Sequence, residues 1–499
     1  MVDIDVAALS QGFVMLLHWE ILVLLVIGLA WGIVSGGIPG FTTPLAISMM
    51  LPITFKMPAL ESIVFLTAIY IGGNMGASIS SILLGIPGAP QAIATTADGF
   101  ALAKQGRANQ ALGAAVAASS VGSILGTCAL FVILQLLVAV ALKFGPPELC
   151  MVAVLGLTII ASLDESFCRG IIAGLLGLLL GSIGMTPSGV TRGTMGIMEL
   201  LDGIPIVPAL IGLVGFTELY YMVKVEYITE EGYTPRRSMH ELMEGVWASL
   251  QFKLAIVRSS LIGILIGALP GAGATIASIV SYNEGKRASR NTELFGKGSI
   301  EGVTCAESAN NASQGGALAT MLALGIPGGT ATAVLIGALM LQGLIPGPRF
   351  FMDHMPLAYG IIIANLFGSI LLMGVGLFIC YFAPTVIMVP TRILIPVIVV
   401  FSVVGTYAIR TSLFDVKLMF ILSLIGWVLR MYGYPAIAVV LGVILGPIVG
   451  NELLRTHQMF DGNMLVFFTR PISLFLLFLA LLSVVLPMLR NRKMPAGGR

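Results

Sequence analysis

Glu307, Asn310, Asn311, Ser313, Gln314 and Thr320 stand in one otherwise apolar stretch, Glu301 to Pro348, which is interrupted at Gly325-Ile326-Pro327-Gly328-Gly329. Spacings of three and four place Glu307, Asn310 and Asn311 near one helical face, so a carboxylate and two amides can converge on one ion or one partner helix. Asn74 and Ser78, four apart, do the same earlier in the chain, with Ser80 beside them. Polar groups and helix breaks at membrane depth are costly and are usually kept for a function. The chemistry these residue types offer is the binding of a substrate or an ion. The plain alternative, hydrogen bonding between helices, is common and modest in value.

Four interruptions share one composition: Gly36-Gly37-Ile38-Pro39-Gly40, Gly85-Ile86-Pro87-Gly88, Pro270-Gly271, and the Gly325 to Gly329 segment with Pro327 and Gly328. Proline removes a backbone donor and glycine relaxes φ, so each break ends one half-helix and starts another. Amide ends then present partial positive charge and carbonyl ends partial negative charge. Anionic groups can bind the first and Na+ the second, without a buried Lys or Arg. Thr42, Thr43, Gly273, Thr275, Thr330 and Thr332 follow the breaks, where hydroxyls can complete such a shell or simply cap the next helix. Thr95 and Asp98 follow the second break, and Asp98 reads either as a cation ligand or as a helix cap.

The elements that hold these residues must be membrane helices. With 499 residues, 57% hydrophobic, 10% charged and mean hydropathy +1.01, the chain is an all-α polytopic membrane protein. Apolar runs from near Phe13 to Leu489 predict about ten to twelve spans, some re-entrant or broken. A net charge of +2 excludes a nucleic-acid role, which needs clustered cations. Cys128, Cys150, Cys168, Cys305 and Cys380 show no metal or redox spacing and read as buried packing residues, so no transition metal and no cofactor is expected. The four histidines do not cluster, and no phosphate loop, zinc-helix motif or nucleophile elbow occurs, which argues against an enzyme. The start, MVDIDVAAL, lacks a basic region, so the first apolar segment reads as retained rather than cleaved.

The chain also repeats itself. Pro270 lies 231 residues after Pro39 and Pro327 lies 240 after Pro87, so both halves run break, polar helix, Gly-Ile-Pro-Gly break in the same order. This divides the chain into a first half, 1–223, a polar connector, 224–252, a second half with plainer scaffold helices, 253–489, and a basic tail, 490–499. Equivalent connectors differ in charge: Lys56 against Lys286, Arg287, Arg290 and Lys297, then Lys104 and Arg107 against Arg349. If basic connectors face the cytoplasm, the halves are inverted, with the C-terminus cytoplasmic and the N-terminus outside.

At these residues the chain resembles the large membrane subunit of the tripartite tricarboxylate transporters, the TctA family. The likeness is carried by Gly32 to Gly40 with Leu51-Pro52-Ile53-Thr54-Phe55, Gly76 to Gly88 with Thr95-Thr96-Ala97-Asp98-Gly99, and Leu201-Asp202-Gly203-Ile204. In the second half it is carried by Leu269-Pro270-Gly271, Glu284-Gly285-Lys286-Arg287, Phe295-Gly296-Lys297-Gly298, Glu307-Ser308-Ala309-Asn310-Asn311-Ala312, Leu324-Gly325-Ile326-Pro327-Gly328 and Gly343-Leu344-Ile345-Pro346-Gly347-Pro348. Met75-Gly76-Ala77-Ser78 and Gly85-Ile86-Pro87-Gly88 stand where the family usually has Tyr-Gly-Gly-Ser and Asn-Ile-Pro-Gly. The resemblance implies a bacterial inner-membrane permease driven by Na+ or H+, with a small four-span membrane subunit (TctB-like), a periplasmic solute-binding protein (TctC-like) and a carboxylate such as citrate as its solute. Alternating access, with an elevator motion of the polar core against the plain helices, is the expected mechanism; an anion channel or a structural assembly subunit is the alternative. Whether the chain forms a homo-oligomer stays open.

Overall fold

A computed structural model describes residues 6–141, 144–162, 167–186, 189–222, 237–269, 273–386 and 391–491. Helices dominate: α1 Val6–Met15, α2 Trp19–Gly36, α3 Thr43–Thr54, α4 Ala59–Leu84, α5 Ile93–Lys104, α6 Ala108–Ala141, α7 Pro146–Ser162, α8 Phe167–Gly181, α9 Ile206–Leu210 and α10 Thr217–Met222, the last two joined by a π-helical turn. Then come α11 Met239–Leu250, α12 Lys253–Ala268, α13 Gly273–Ala288, α14 Ile300–Leu324, α15 Thr330–Leu341, α16 Pro348–Asp353, α17 Met355–Val386, α18 Thr391–Arg410, α19 Leu413–Met431, α20 Ala436–Met459, α21 Val466–Thr469 and α22 Pro471–Asn491. One short antiparallel pair, Gly184–Met185 with Thr191–Arg192, decorates the loop before α9.

Among the described residues, five helices are long and apolar enough to cross a membrane, or six if α11 and α12, bent by 77°, make one span; seven shorter apolar helices accompany them. Long and short helices together fit the expected all-α polytopic plan with broken spans, because the breaks cut several apolar runs into pieces of 12 residues, α3 and α15 among them. α14 is too polar to count by hydropathy, yet from Gly302 to Ala323 every residue is buried, as is every residue from Ser62 to Leu83 of α4. Protein, not lipid, surrounds both, and that is where polar intramembrane groups are tolerated. Cys150, Cys305 and Cys380 are buried as expected, whereas Cys128 and Cys168 are exposed on the apolar helices α6 and α8. The expected connector is partly helical: α11 begins under a Ser238 cap and turns Leu242 and Val246 inward, so an amphipathic pattern prevails over its charge. Residues 224–236 of that connector, and 492–499 of the basic tail, lie outside the described residues.

Small residues set the packing. Gly28, Gly32 and Gly36 of α2 lie against Phe65, Ile69 and Gly73 of α4, and Gly263 and Gly267 of α12 lie against Ala309 and Ser313 of α14. Both pairs are parallel, because the contacts advance together along each chain. α3 starts against Gly73 and is joined to the start of α4 by residues 55–58 alone, so α2 and α3 form a hairpin that enters and leaves by one face. We call that the near face, where α4 begins; α4 ends toward the far face.

Side-chain registers fix the remaining directions. Gln135 Nε2 donates to Tyr359 Oη at 2.9 Å, Asn365 Nδ2 to Thr127 Oγ1 at 2.9 Å, and Ser123 and Ser369 share a bond of 2.7 Å, so α6 and α17 are antiparallel. Gly122 and Gly126 of α6 meet Ser308 and Ala312 of α14, a parallel pair; Gly360 and Gly368 of α17 meet Leu60 and Ile71 of α4, also parallel. It follows that α4 and α14, which end in the same Gly-Ile-Pro-Gly motif, run in opposite senses.

Candidate functional site

Helices α4 and α14 stop for the same local reason. Gly85 and Gly325 adopt φ of 70° and 72°, the left-handed cap that glycine enters at no steric cost, and a proline follows two residues later. The chain then turns back toward mid-depth. Gly88 N donates to Ala77 O at 3.2 Å, and Gly40 N donates to Gly88 O at 3.2 Å, which binds the first break to the second. A Cβ at Gly88 would collide with Gly36 O and Ala77, and one at Gly328 with Gly267 O and Ala317, each closer than 3.0 Å. Those contacts recur at the 231- and 240-residue spacings of the prolines. Gly273 and Gly329 approach each other in the second half; Pro270 and Gly271 themselves lie outside the described residues.

These turns aim the first residues of four helical segments at one cavity of about 400 Å³. Thr42 and Pro44 come from the start of α3, Pro90 and Gln91 from the turn before α5, Thr275 from α13 and Thr330 from α15. Leu213, Val214 and Thr217 from the π-helical turn, and Arg430, Gly433 and Tyr434 from the α19–α20 turn, close the other wall. Thr42 makes no capping hydrogen bond, whereas Thr332 accepts from Gly329 N at 2.9 Å and so is the threonine that caps. Helix N-termini carry partial positive charge within about the first turn. Four of them plus one guanidinium offer partial and full positive charge that can hold an anion without a buried lysine.

Behind the cavity lies a second polar cluster at the crossing of α4 and α14. Asn310 Nδ2 donates to Asn74 O at 3.0 Å, and Asn311 Nδ2 to Ile71 O at 3.3 Å. Glu307, fully buried, accepts from Thr95 Oγ1, from Ser119 Oγ at 2.9 Å and, more weakly, from Asn310 Nδ2 at 3.4 Å. All three of these donors are neutral. Gln91 joins cluster to cavity: its Nε2 reaches Asn74 Oδ1 at 3.4 Å and Thr43 Oγ1 at 3.3 Å, while its carbonyl accepts from Ser278 at 2.8 Å. Asn310 Oδ1, Asn311 Oδ1 and Gln314 Oε1 are buried acceptors without a protein donor among the described residues, and the hydroxyl of Ser80 is likewise without a hydrogen-bond partner there.

The structure therefore sorts the expected residues into groups. Thr42, Thr275 and Thr330 line the cavity; Gly37, Pro39, Gly40, Gly85, Pro87, Gly88, Gly273, Gly325, Pro327, Gly328 and Gly329 belong to the turns that shape it. Asn74, Thr95, Glu307, Asn310 and Asn311 form the buried cluster, not the cavity wall. Asp98 stands apart. Its Oδ1 accepts the backbone amides of Gly296, Gly298 and Ser299 at 2.7, 2.9 and 2.8 Å, and its Oδ2 accepts from Tyr282 at 2.9 Å. Between the two readings of Asp98, this geometry favours a cap, though it caps the start of α14 rather than its own helix. Gln91, Ser119, Arg430 and Tyr434 were not anticipated. Gln91 had a signal, a long amide three residues after Gly88, but Arg430 has no sequence relation to the breaks.

A family model described as the Tripartite tricarboxylate transporter TctA family matches residues 22–441. A protein of Agrobacterium vitis described as "Uncharacterized 52.8 kDa protein in TAR-I ttuC' 3'region" is 35% identical over 497 residues, 98% of each chain. A second from the same organism, "Uncharacterized protein in TAR-II ttuC' 3'region", is 38% identical over 227 residues, 46% of this chain and 94% of that one. No solved structure matches. The chain belongs to the tripartite tricarboxylate transporter TctA family, a family of membrane transport proteins.

Proposed function

We propose that this chain is the large permease subunit of a binding-protein-dependent tripartite importer, carrying a di- or tricarboxylate with Na+ or H+ by alternating access. The observation that carries the reading is the convergence of Thr42, Gln91, Thr275 and Thr330, one from each break, on a cavity that also holds Arg430. Carboxylate oxygens fit amide ends and a guanidinium, and a cavity of about 400 Å³ holds a small polyanion with water. Glu307 supplies the coupling site: a carboxylate surrounded by neutral donors in a membrane core calls for a cation or a proton.

The two halves are an inverted duplication, supported by the recurring contacts at Gly88 and Gly328 and by the opposed senses of α4 and α14. A TctB-like four-span subunit and a periplasmic TctC-like solute-binding protein are the partners this reading requires, and a bacterial inner membrane is the location. No step requires an enzyme. Reconstitution with those partners in proteoliposomes tests the proposal: an imposed Na+ or proton gradient drives the carboxylate above its outside concentration. Flux that only equilibrates the solute would make the chain an anion channel, and none at all would leave it an assembly subunit.

A further inference from the structure

We propose that α13 and α5 carry a second docking face for the scaffold of α7–α10 and α18–α22, and that transport exchanges this face for the one α3 and α15 use now. The inference rests on the inverted duplication above and deepens it by naming the surface that the moving core presents in its other state.

The present structure treats equivalent helices unequally. α3 packs on α9, the π-helical turn and α18, and α15 packs on α9 and α20. Among the described residues, α13 and α5 pack substantially only on core neighbours: α4, α6, α12, α14, the turn before α5, the short turn after α13, and each other. Exposure follows. Leu45 and Met49 of α3 are 1% and 3% exposed, but the residues 231 positions later, Ile276 and Val280, are 41% and 37% exposed. Ala333 of α15 is fully buried, while Ile93, 240 positions earlier, is 48% exposed.

An apolar stripe whose duplicate is covered by this same chain has an evident occupant. A groove of about 540 Å³ runs beside it, lined by Val280, Asn283, Glu284, Lys286, Arg287 and Thr292. Those charged groups mark an aqueous space rather than a lipid boundary. The cavity is consequently shut toward the near face, where α3 and α15 meet the scaffold, and open toward the far face. Reversing the asymmetry shuts the far face and opens the near one, as inverted repeats permit. In that state α13 lies on α7 and α20, the counterparts of α18 and the α9–α10 segment.

The spacings supply a cross-linking test. A Cβ at Gly405 would fall 2.4 Å from that of Pro52 in the present state, so α18 and α3 abut there and a cysteine pair reaches the Cβ separation of a disulfide, about 3.8 Å, once the two helices part by about 1.5 Å. Asn283 lies 231 residues after Pro52, and Thr158 lies 247 before Gly405, the spacing between the starts of α6 and α17. With the five native cysteines replaced by alanine, the pair Pro52→Cys and Gly405→Cys cross-links in resting protein under copper phenanthroline. The pair Asn283→Cys and Thr158→Cys cross-links only on adding solute and gradient, and either bridge reduces uptake about tenfold or more because the exchange is blocked. Failure of the second pair to bridge while the double variant still transports overturns the proposal.

Separately, Ile276→Cys and Val280→Cys react with a charged thiol reagent in resting protein and become protected when the second pair is bridged. Inert cysteines would mean that the stripe faces lipid, and protection only on adding the small membrane subunit would make that subunit the occupant; either overturns the inference. Both assays read geometry and not solute identity. Bridging that switches with the gradient in a protein that moves no carboxylate would sink the solute assignment and leave the docking face standing.

Discussion

Glu307 and Asn310 are the residues where sequence and structure speak most directly to each other. Their spacing of three predicted a shared face, and the structure puts Glu307 against Ser119 of α6 and Asn310 against Asn74 of α4, with one hydrogen bond between them. Glu307→Gln preserves shape and most of the hydrogen bonds but removes the charge. We expect it to abolish gradient-driven accumulation while leaving solute exchange between loaded vesicles intact, which counterflow assays read. Asn310→Leu removes donations to Asn74 O and Glu307; bonds of this kind in membrane proteins average about 0.6 kcal/mol each. That loss of about 1 kcal/mol is too small to unfold the chain, so uptake should vanish while membrane insertion and thermal midpoint stay near normal. Wild-type transport in either variant would remove the cluster from the site. What the sequence could not reveal is the division between cavity and cluster. Thr42, Thr275 and Thr330 reach the cavity while Ser78 and Ser80 do not, and that depends on how four turns fold onto one another rather than on any local pattern.

At the scale of elements, the breaks were legible because proline and glycine act through the backbone of their own segment, and Gly85 and Gly325 stop their helices at φ of 70° and 72°. Helix contacts were not legible, because they depend on which glycines face a neighbour. Gly76 of α4 admits Ile33, and Gly316 of α14 admits Ile264 and Ala268, at distances where a methyl group would meet backbone closer than 3.0 Å. Close approach of this kind is the main attraction between helices when lipid removes the hydrophobic drive. Gly76→Ala or Gly316→Ala should therefore force the pair apart, with a cost of about 1–3 kcal/mol typical of overpacking. Around Gly374 of α17, a methyl group would meet nothing within 4 Å, and Gly374→Ala should be neutral or stabilising by up to about 1 kcal/mol through helix propensity. Thermal unfolding in detergent followed by a thiol-reactive dye at Cys305 or Cys380 distinguishes the two sets. Equal shifts would mean that α2–α4 and α12–α14 are not held by close backbone contact.

For the whole molecule, direction is inherited from a few side-chain registers, and it decides where the ends lie. α1 packs through Gly12 on Pro356 and Gly360 at the start of α17, which is parallel to α4, so α1 sits at the near face. α7 begins where α6 ends, at that same face, and Glu148 near its start accepts from Arg470 Nε at 2.6 Å and Ser473 Oγ at 2.7 Å near the start of α22. Val152 and Leu155 then share a cluster with Leu476 and Ala480, so α22 rises parallel to α7 and ends at the far face. The basic connectors with Lys104 and Arg107, and with Lys286, Arg287, Arg290 and Lys297, lie at that far face too, since α5 and α13 both end there. Because positive connectors stay inside, we expect the far face to be cytoplasmic and the open cavity to face inward. Ser10→Cys should then react with an impermeant thiol reagent added to intact cells, and Asn491→Cys only after permeabilisation. Labelling of both from one side would require an even number of crossings, which the antiparallel register of α6 and α17 together with the parallel rise of α7 and α22 does not allow.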